Sequence, residues 1–102
     1  MVGKTMSRNI TSRDILNAHK YSIDNKENIT KSYKCGCFSC LNIFTSNKPM
    51  EWINKRGNGD DTALCPYCSV DAVLPDISDY PITTEFLTHM KKYWFETFDR
   101  KI

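Results

Sequence analysis

The chain has 102 residues, of which 40% are hydrophobic and 25% are charged, and its formal net charge is +2. This length predicts one domain over 1–102, with a core so small that a structural metal would help to stabilise it. The composition excludes collagen-like, coiled-coil and low-complexity classes. Ten basic and four acidic residues lie in 1–58, against four basic and eight acidic residues in 59–102.

The first third of the chain is predicted to be helical. Residues 1–10 are polar and are expected to be loosely ordered. The stretch Thr11–Asp14 has the pattern of a capping box, and apolar residues at helical spacing then predict a helix over about 12–23. A second capping signal at Asp24–Glu27 predicts a short helix or turn that runs to about Ser32.

The middle of the chain is predicted to contain short strands around two cysteine-rich turns. The strands are expected at 33–35 and 41–44 around the first turn, and at 62–64 and 70–74 around the second. Between them, Ser46 as N-cap and Pro49 in the first turn predict a short inserted helix that carries Met50, Trp52 and Ile53. Residues 56–61 are predicted to form a flexible turn.

The end of the chain is predicted to be a helix capped by Thr83 or Thr84 and running to about Asp99. Its apolar stripe is expected to be core, whereas Phe95 lies off the stripe and is expected to be exposed. The stripe consists of Phe86, Leu87, Met90, Tyr93, Trp94 and Phe98. The predicted fold class is α+β: a zinc-ribbon-like β core of two zinc knuckles, with an inserted short helix and flanking N- and C-terminal helices.

The cysteines carry the strongest functional signal. Two C-x-x-C pairs are separated by 24 residues, a pattern typical of a four-cysteine zinc site. The predicted ligands of Zn²⁺ are therefore Cys37, Cys40, Cys65 and Cys68. Four cysteines close the coordination shell, so the sequence predicts a structural metal and not a catalytic one. Their four thiolates and the metal together add a charge of −2, which cancels the net charge of the chain.

Three further residues could ligate a soft metal ion, and each also has a simpler structural role. Cys35 can replace Cys37 as a ligand, bind a second metal or stay a free thiol, and a small strand residue is the simplest interpretation. His19 and His89 lie in predicted helices, where packing or hydrogen bonding is the simpler role.

No catalytic constellation is visible, so the chain is predicted not to be an enzyme. The second pair alone would suit a glutaredoxin, but the stretch 69–75 that follows it is too short and β-branched for the helix that fold requires. A zinc deaminase needs a His-x-Glu motif, which the sequence lacks. The aspartates are scattered over predicted turns, where they are expected to be solvated: Asp60, Asp61, Asp71, Asp76 and Asp79.

The segments 34–40, 62–71 and 80–87 resemble a family of short, uncharacterised bacterial cytoplasmic proteins with a Cys-Gly-Cys-Phe-x-Cys knuckle and a Cys-Pro-Tyr-Cys-Gly knuckle. The resemblance runs from about His19 to Phe95. It implies a bacterial, cytosolic zinc protein, and it makes Cys35 part of the motif. Ser69 stands where the family has glycine, so the second knuckle is expected to be less regular.

Three functional hypotheses follow. The first is a non-enzymatic protein-interaction module with a protein partner, by analogy an immunity- or antitoxin-type inhibitor. The second is a nucleic-acid-binding zinc ribbon that uses the basic residues of the first half with Tyr33, Phe38 or Trp52. The third is a thiol redox or zinc sensor that uses Cys35. No signal peptide and no apolar run of about 20 residues is visible, which predicts a cytoplasmic protein without membrane contact.

Overall fold

A computed structural model describes residues 10–55, 57, 59–78 and 80–96. The helices in this part of the chain are α1 (Ser12–His19), α2 (Lys26–Lys31) and α3 (Thr84–Lys91). Short 3₁₀ turns follow α1 at Lys20–Ser22 and the last strand at Asp76–Ser78, and a π-helical turn, Lys92–Glu96, extends α3. The strands are β1 (Lys34–Cys37), β2 (Ile43–Thr45), β3 (Glu51–Ile53), β4 (Thr62–Leu64) and β5 (Val73–Pro75).

The five strands form two small antiparallel sheets. The first has the order β2-β1-β5, with Cys35 opposite Phe44 on one side and opposite Pro75 on the other. The second is the hairpin β3-β4, with Trp52 opposite Ala63. Helices and these sheets together confirm the predicted α+β, zinc-ribbon-like class. The predictions for residues 1–9 and for the helix end at Phe98 and Asp99 lie outside the described residues.

The inserted short helix is the part of the fold prediction that is wrong. Residues 51–53 form β3, in which Glu51 and Ile53 are exposed and Trp52 is half-buried. Short helices gain most of their stability from tertiary packing, so the contacts open to this segment decide between helix and strand. Pairing with β4 satisfies the same backbone groups and also packs Trp52 against the core.

The helix caps are largely as predicted. Thr11 and Asp14 form a reciprocal capping box at the start of α1, and the Thr83 hydroxyl accepts a hydrogen bond from the N–H of Phe86 (3.1 Å). Helix α2 differs, because the side chain of its N-cap, Asn25, makes no capping bond. Instead the Asp60 carboxylate accepts from the N–H of Glu27 (2.8 Å). A loop distant in sequence therefore caps this helix.

The Asn25 side chain is fully buried and joins the two sheets. Its amide Nδ2 donates to the carbonyl oxygens of Tyr21 and Val73, both at 2.9 Å. Its Oδ1 accepts from the N–H of Ala63 at 3.0 Å. Val73 belongs to β5 and Ala63 to β4, so one side chain connects the strands on either side of the second cysteine pair.

Helix α3 packs directly on β1. A Cβ atom at Gly36 would lie 2.8 Å from Cδ1 of Leu87 and 2.9 Å from Cγ2 of Ile82, so this close approach requires glycine. Phe86, Leu87 and Met90 are fully buried, as the apolar stripe predicted.

After Met90, the stripe prediction is wrong for Tyr93 and Phe95, whereas Trp94 packs against the core as predicted. Tyr93 is 36% exposed, whereas Phe95 is half-buried and packs on Phe38 with ring centroids 5.6 Å apart. The cause is the π-helical turn Lys92–Glu96, whose i→i+5 hydrogen bonds widen the helix and change which side chains face the core.

Candidate metal centre

The first cysteine pair lies in the turn that joins β1 to β2. The N–H of Leu41 donates to the carbonyl oxygen of Cys37 (2.8 Å), and the N–H of Cys37 donates to the carbonyl oxygen of Asn42 (3.0 Å). Leu41 has a φ of +68°, a left-handed conformation that reverses the chain directly after Cys40. We call the segment 37–42 the first knuckle.

The second pair has the same backbone arrangement in the segment 65–70, the second knuckle. The N–H of Ser69 donates to the carbonyl oxygen of Cys65 (2.9 Å), and the N–H of Cys65 donates to that of Val70 (3.0 Å). Ser69 has a φ of +68°, equal to that of Leu41. The expectation that a side chain at Ser69 makes this knuckle less regular is therefore wrong.

The two knuckles bring together the four cysteines that the spacing singled out. The sulfur atoms of Cys37, Cys40, Cys65 and Cys68 all lie within 4.8 Å of one another. Two of the sulfur–sulfur distances, Cys37 to Cys68 and Cys40 to Cys65, are 3.7 Å. A tetrahedron with Zn–S bonds of about 2.3 Å has edges of roughly 3.8 Å. This group of sulfurs could therefore hold a metal ion.

N–H groups already point at three of the four sulfurs. The backbone N–H of Ser39 donates to Cys37 Sγ and that of Tyr67 to Cys65 Sγ, both at 3.3 Å. The side-chain amide of Asn42 donates to Cys40 Sγ at 3.2 Å. Such donors stabilise thiolates, the form of cysteine that binds metals, and they orient the ligands. Sequence analysis missed Asn42, although a polar side chain two residues after a ligand cysteine is a usable signal.

The pKa values of the cysteine thiols are shifted in different directions. Burial raises the pKa of the Cys37 and Cys65 thiols above the ordinary value. Burial also acts to raise the pKa of Cys40, but hydrogen bonds from Asn42 and from neighbouring thiols outweigh it and lower the pKa to about 7. A buried thiolate needs a compensating cation, so metal binding at this site would be coupled to proton release.

Cys35 lies outside this group. It is fully buried in β1, and burial together with the nearby Asp76 carboxylate raises the pKa of its thiol to about 12. Among the described residues, the group of possible metal ligands contains the four knuckle cysteines and neither Cys35 nor a histidine. The His19 ring packs on Trp94 in a tilted arrangement with centroids 4.0 Å apart, and His89 is exposed on α3.

The aspartates hold structure together and are not merely solvated. Asp60 caps α2, as described above, and Asp61 lies 3.8 Å from the ammonium of Lys26. Asp71 pairs with Lys55. The Asp76 carboxylate accepts from the backbone N–H groups of Tyr33 (3.2 Å) and Lys34 (2.8 Å), at the start of β1. Asp79 lies outside the described residues.

The aromatic residues of the nucleic-acid hypothesis fall in different environments. Tyr33 is 77% exposed, but Phe38 is only 2% exposed. Trp52 is half-buried, with the Lys26 ammonium 5.4 Å from its ring centroid. Phe38 is therefore too buried to be an exposed stacking platform of the kind that this hypothesis requires.

Comparison with known proteins does not assign this chain to a family. No protein-family model matches the chain, and neither the curated proteins nor the solved structures that were searched include a match. The resemblance to the bacterial knuckle family therefore stays a prediction. In the described part of the chain, no helix has the length and apolar character needed to cross a membrane.

Proposed function

We propose that the protein binds one structural Zn²⁺ through Cys37, Cys40, Cys65 and Cys68, and that the domain stabilised in this way is a non-enzymatic protein-interaction module. The observation that carries the metal assignment is the close group of four sulfurs with tetrahedral spacing. Four thiolates in a tetrahedral set favour zinc, with iron as the principal competitor. A shell of four thiolates leaves no position for a substrate or a reactive water.

The interaction role rests on two tyrosines that flank β2. Tyr33 is 77% exposed, and its carbonyl oxygen accepts a hydrogen bond from the N–H of Ser46, directly after β2. Tyr67 is 52% exposed and packs on Phe44 of β2, with ring centroids 5.8 Å apart. Exposed tyrosines on a rigid support are favoured anchors of protein interfaces. An immunity-type inhibitor in the bacterial cytoplasm is the form of this role that the sequence resemblance and analogy suggest.

The metal assignment is tested by native mass spectrometry and elemental analysis of the purified protein. We expect one zinc per chain and colourless protein. A bound iron, recognised by visible absorption, would overturn the choice of metal. Protein that folds without any metal would overturn the structural role.

The interaction role is tested by affinity capture from nuclease-treated lysate, with the chain carrying Tyr33→Ala and Tyr67→Ala in parallel. We expect a defined protein partner that the double variant loses. Tyr93→Ala, at a tyrosine 36% exposed on the π-helical turn, is the matched control and should retain the partner. Capture that both variants leave unchanged would contradict the assignment of this surface.

One observation favours nucleic acid as a second candidate partner. The Lys48 ammonium lies 5.1 Å from the centroid of the exposed Tyr67 ring, and Lys34 adjoins Tyr33. Lysines beside exposed aromatic rings are typical of single-strand binding surfaces. Binding of this kind must weaken steeply as salt increases, so an electrophoretic shift that is absent at low salt would remove this candidate. The sensor hypothesis has no such support, because Cys35 is buried with a raised pKa.

A further inference from the structure

A cleft of about 260 Å³ lies beside the knuckles, and side chains from separate segments of the chain line it. The aromatic and charged side chains of the lining are those of His19, Phe38, Lys55, Asp71, Trp94 and Phe95. Phe38 lies inside the first knuckle and Asp71 follows the second knuckle directly, so the metal centre also supports this cleft. Small-molecule pockets start at roughly 300 Å³, so the cleft suits a single ring system and not an extended ligand.

The walls of the cleft are aromatic. The His19 and Trp94 rings contact each other at 4.0 Å between centroids and are tilted by 32°, and the Phe38 and Phe95 ring centroids lie 5.6 Å apart. Phe38 is buried, whereas Trp94 and Phe95 are half-buried and keep part of their surface exposed. Both half-buried rings belong to the π-helical turn Lys92–Glu96, and π-helical turns are frequent at functional sites.

The polar groups of the lining are balanced in charge. The Lys55 ammonium pairs with the Asp71 carboxylate, and each side chain is 36% exposed. Burial lowers the pKa of His19, with Asp71 opposing and Lys55 reinforcing the effect, so the neutral imidazole predominates at pH 7. The lining therefore has no net formal charge, and it offers N–H donors from Lys55, acceptor oxygens from Asp71 and one group of each kind on His19.

We propose that this cleft binds a neutral, planar heteroaromatic ring of nucleobase size, with hydrogen-bond donors and acceptors along its edge. The flat faces of such a ring match Trp94 and Phe95, since stacking on aromatic side chains needs only a π surface. Its edge matches the donors and acceptors of Lys55, Asp71 and His19. A charged ligand fits less well, because an anion would draw Lys55 away from Asp71 and leave that carboxylate facing a like charge.

The zinc-loaded full chain allows a direct test, because it has only two tryptophans. In a Trp52→Phe background, fluorescence reports on Trp94 alone. Titration with adenosine, guanosine, cytidine and uridine in turn should give saturable quenching with at least one of them. Phe95→Ala and Asp71→Asn should each weaken this binding about tenfold, the effect expected for loss of one stacking or charged hydrogen-bonding partner. Ile77→Ala, at an exposed apolar residue outside the cleft, is the control and should change nothing.

Because Asp71 is partly exposed, Asp71→Asn keeps the test valid if Phe95→Ala fails to fold. Saturable quenching by none of the nucleosides would overturn the proposal, as would binding that Phe95→Ala and Asp71→Asn leave unchanged. Titration with a short single-stranded oligonucleotide of the preferred base then shows whether the natural ligand is a base in a strand or a free small molecule. Tighter binding than the nucleoside, with the same sensitivity to both variants, assigns the cleft to a base in a strand. Equal or weaker binding assigns it to a free small molecule.

Discussion

The two knuckles share one backbone conformation but are supported in different ways. The first lies within a continuous hairpin, because β1 and β2 pair directly on either side of it. The second joins strands of two different sheets, since β4 pairs with β3 and β5 pairs with β1. Asn25 supplies the connection that strand pairing does not, through its bonds to Ala63 and Val73. Local hydrogen bonds are enough to shape a cysteine turn, but holding two such turns in place requires long-range contacts.

A second difference concerns the side chains around the sulfurs. The Asn42 side chain donates to Cys40 in the first knuckle, and Val70, whose side chain has no donor, occupies the corresponding position in the second. The two residues between the cysteines also differ in environment. Phe38 is buried and Ser39 half-buried in the first knuckle, whereas Pro66 is half-buried and Tyr67 exposed at the same positions of the second. The first knuckle therefore faces the core, whereas the second presents a surface.

The largest expected effect comes from replacing a knuckle cysteine. Cys37→Ser, Cys40→Ser, Cys65→Ser and Cys68→Ser should each lose zinc and unfold, because structural zinc contributes on the order of 10 kcal/mol to folding. Native mass spectrometry measures the bound metal. Cys35→Ser is the matched control and should keep it. Loss of zinc in Cys35→Ser, with Cys37→Ser retaining it, would contradict the ligand assignment.

Asn25→Ala should destabilise the protein by about 3 kcal/mol, because it removes a partner from two buried backbone groups and one part-buried group. The damage should be confined to the second knuckle, so hydrogen exchange of the Ala63 and Cys65 amides should accelerate while that of Cys37 stays slow. Urea denaturation measures the stability change. Asn17→Ala, at an exposed position of α1, serves as the control. Equal acceleration in both knuckles would show that Asn25 does not support the second one specifically.

Gly36→Ala should destabilise the strand that leads into the first knuckle by about 2 kcal/mol, because the new methyl group overpacks against Leu87 and Ile82. Thermal denaturation measures the change. In a double variant with Leu87→Ala, the methyl group gains space. The destabilisation of the double variant should therefore be smaller than the sum for the two single variants. Strict additivity would exclude the predicted clash.

Exchanging the side chains after the cysteines should shift acid release of the metal in opposite directions. The lowered pKa of Cys40 stabilises its thiolate in the folded protein. This stabilisation is complete above the ordinary pKa of a cysteine and is lost as pH falls through about 7. Asn42→Val removes a donor to the sulfur, so zinc should be released at a higher pH, with affinity at neutral pH about tenfold weaker. Val70→Asn offers Cys68 a comparable donor and should move release to lower pH. A zinc indicator follows both, and identical release curves would contradict a role for Asn42.

The smallest expected effect is a gain in stability. Ser69→Gly should stabilise the second knuckle by about 1 kcal/mol, because a non-glycine residue is strained at its φ of +68°. Leu41→Gly relieves the same strain in the first knuckle but removes a half-buried side chain, so its net gain should be smaller. Ser39→Gly has no such strain to relieve and should destabilise. Chemical denaturation of the zinc-loaded variants ranks the three.

The sequence by itself determined the features that depend on neighbouring residues and on ligand chemistry. The spacing of the cysteines singled out the four sulfurs that lie together, and Thr11, Asp14 and Thr83 identified helix starts, because a cap requires only a side chain three residues from an N–H. Strand β4 was predicted at its observed bounds, Thr62–Leu64.

Only the tertiary structure decided the features whose partners are distant in sequence. It made residues 51–53 a strand because β4 was there to pair with them, and it used the side chain of Asn25 to bridge the two sheets and not to cap α2. It also rotated Phe95 inward through the π-helical turn, and so formed the aromatic cleft. These features depend on which buried groups find partners across the fold, and the local sequence of a segment does not specify those partners.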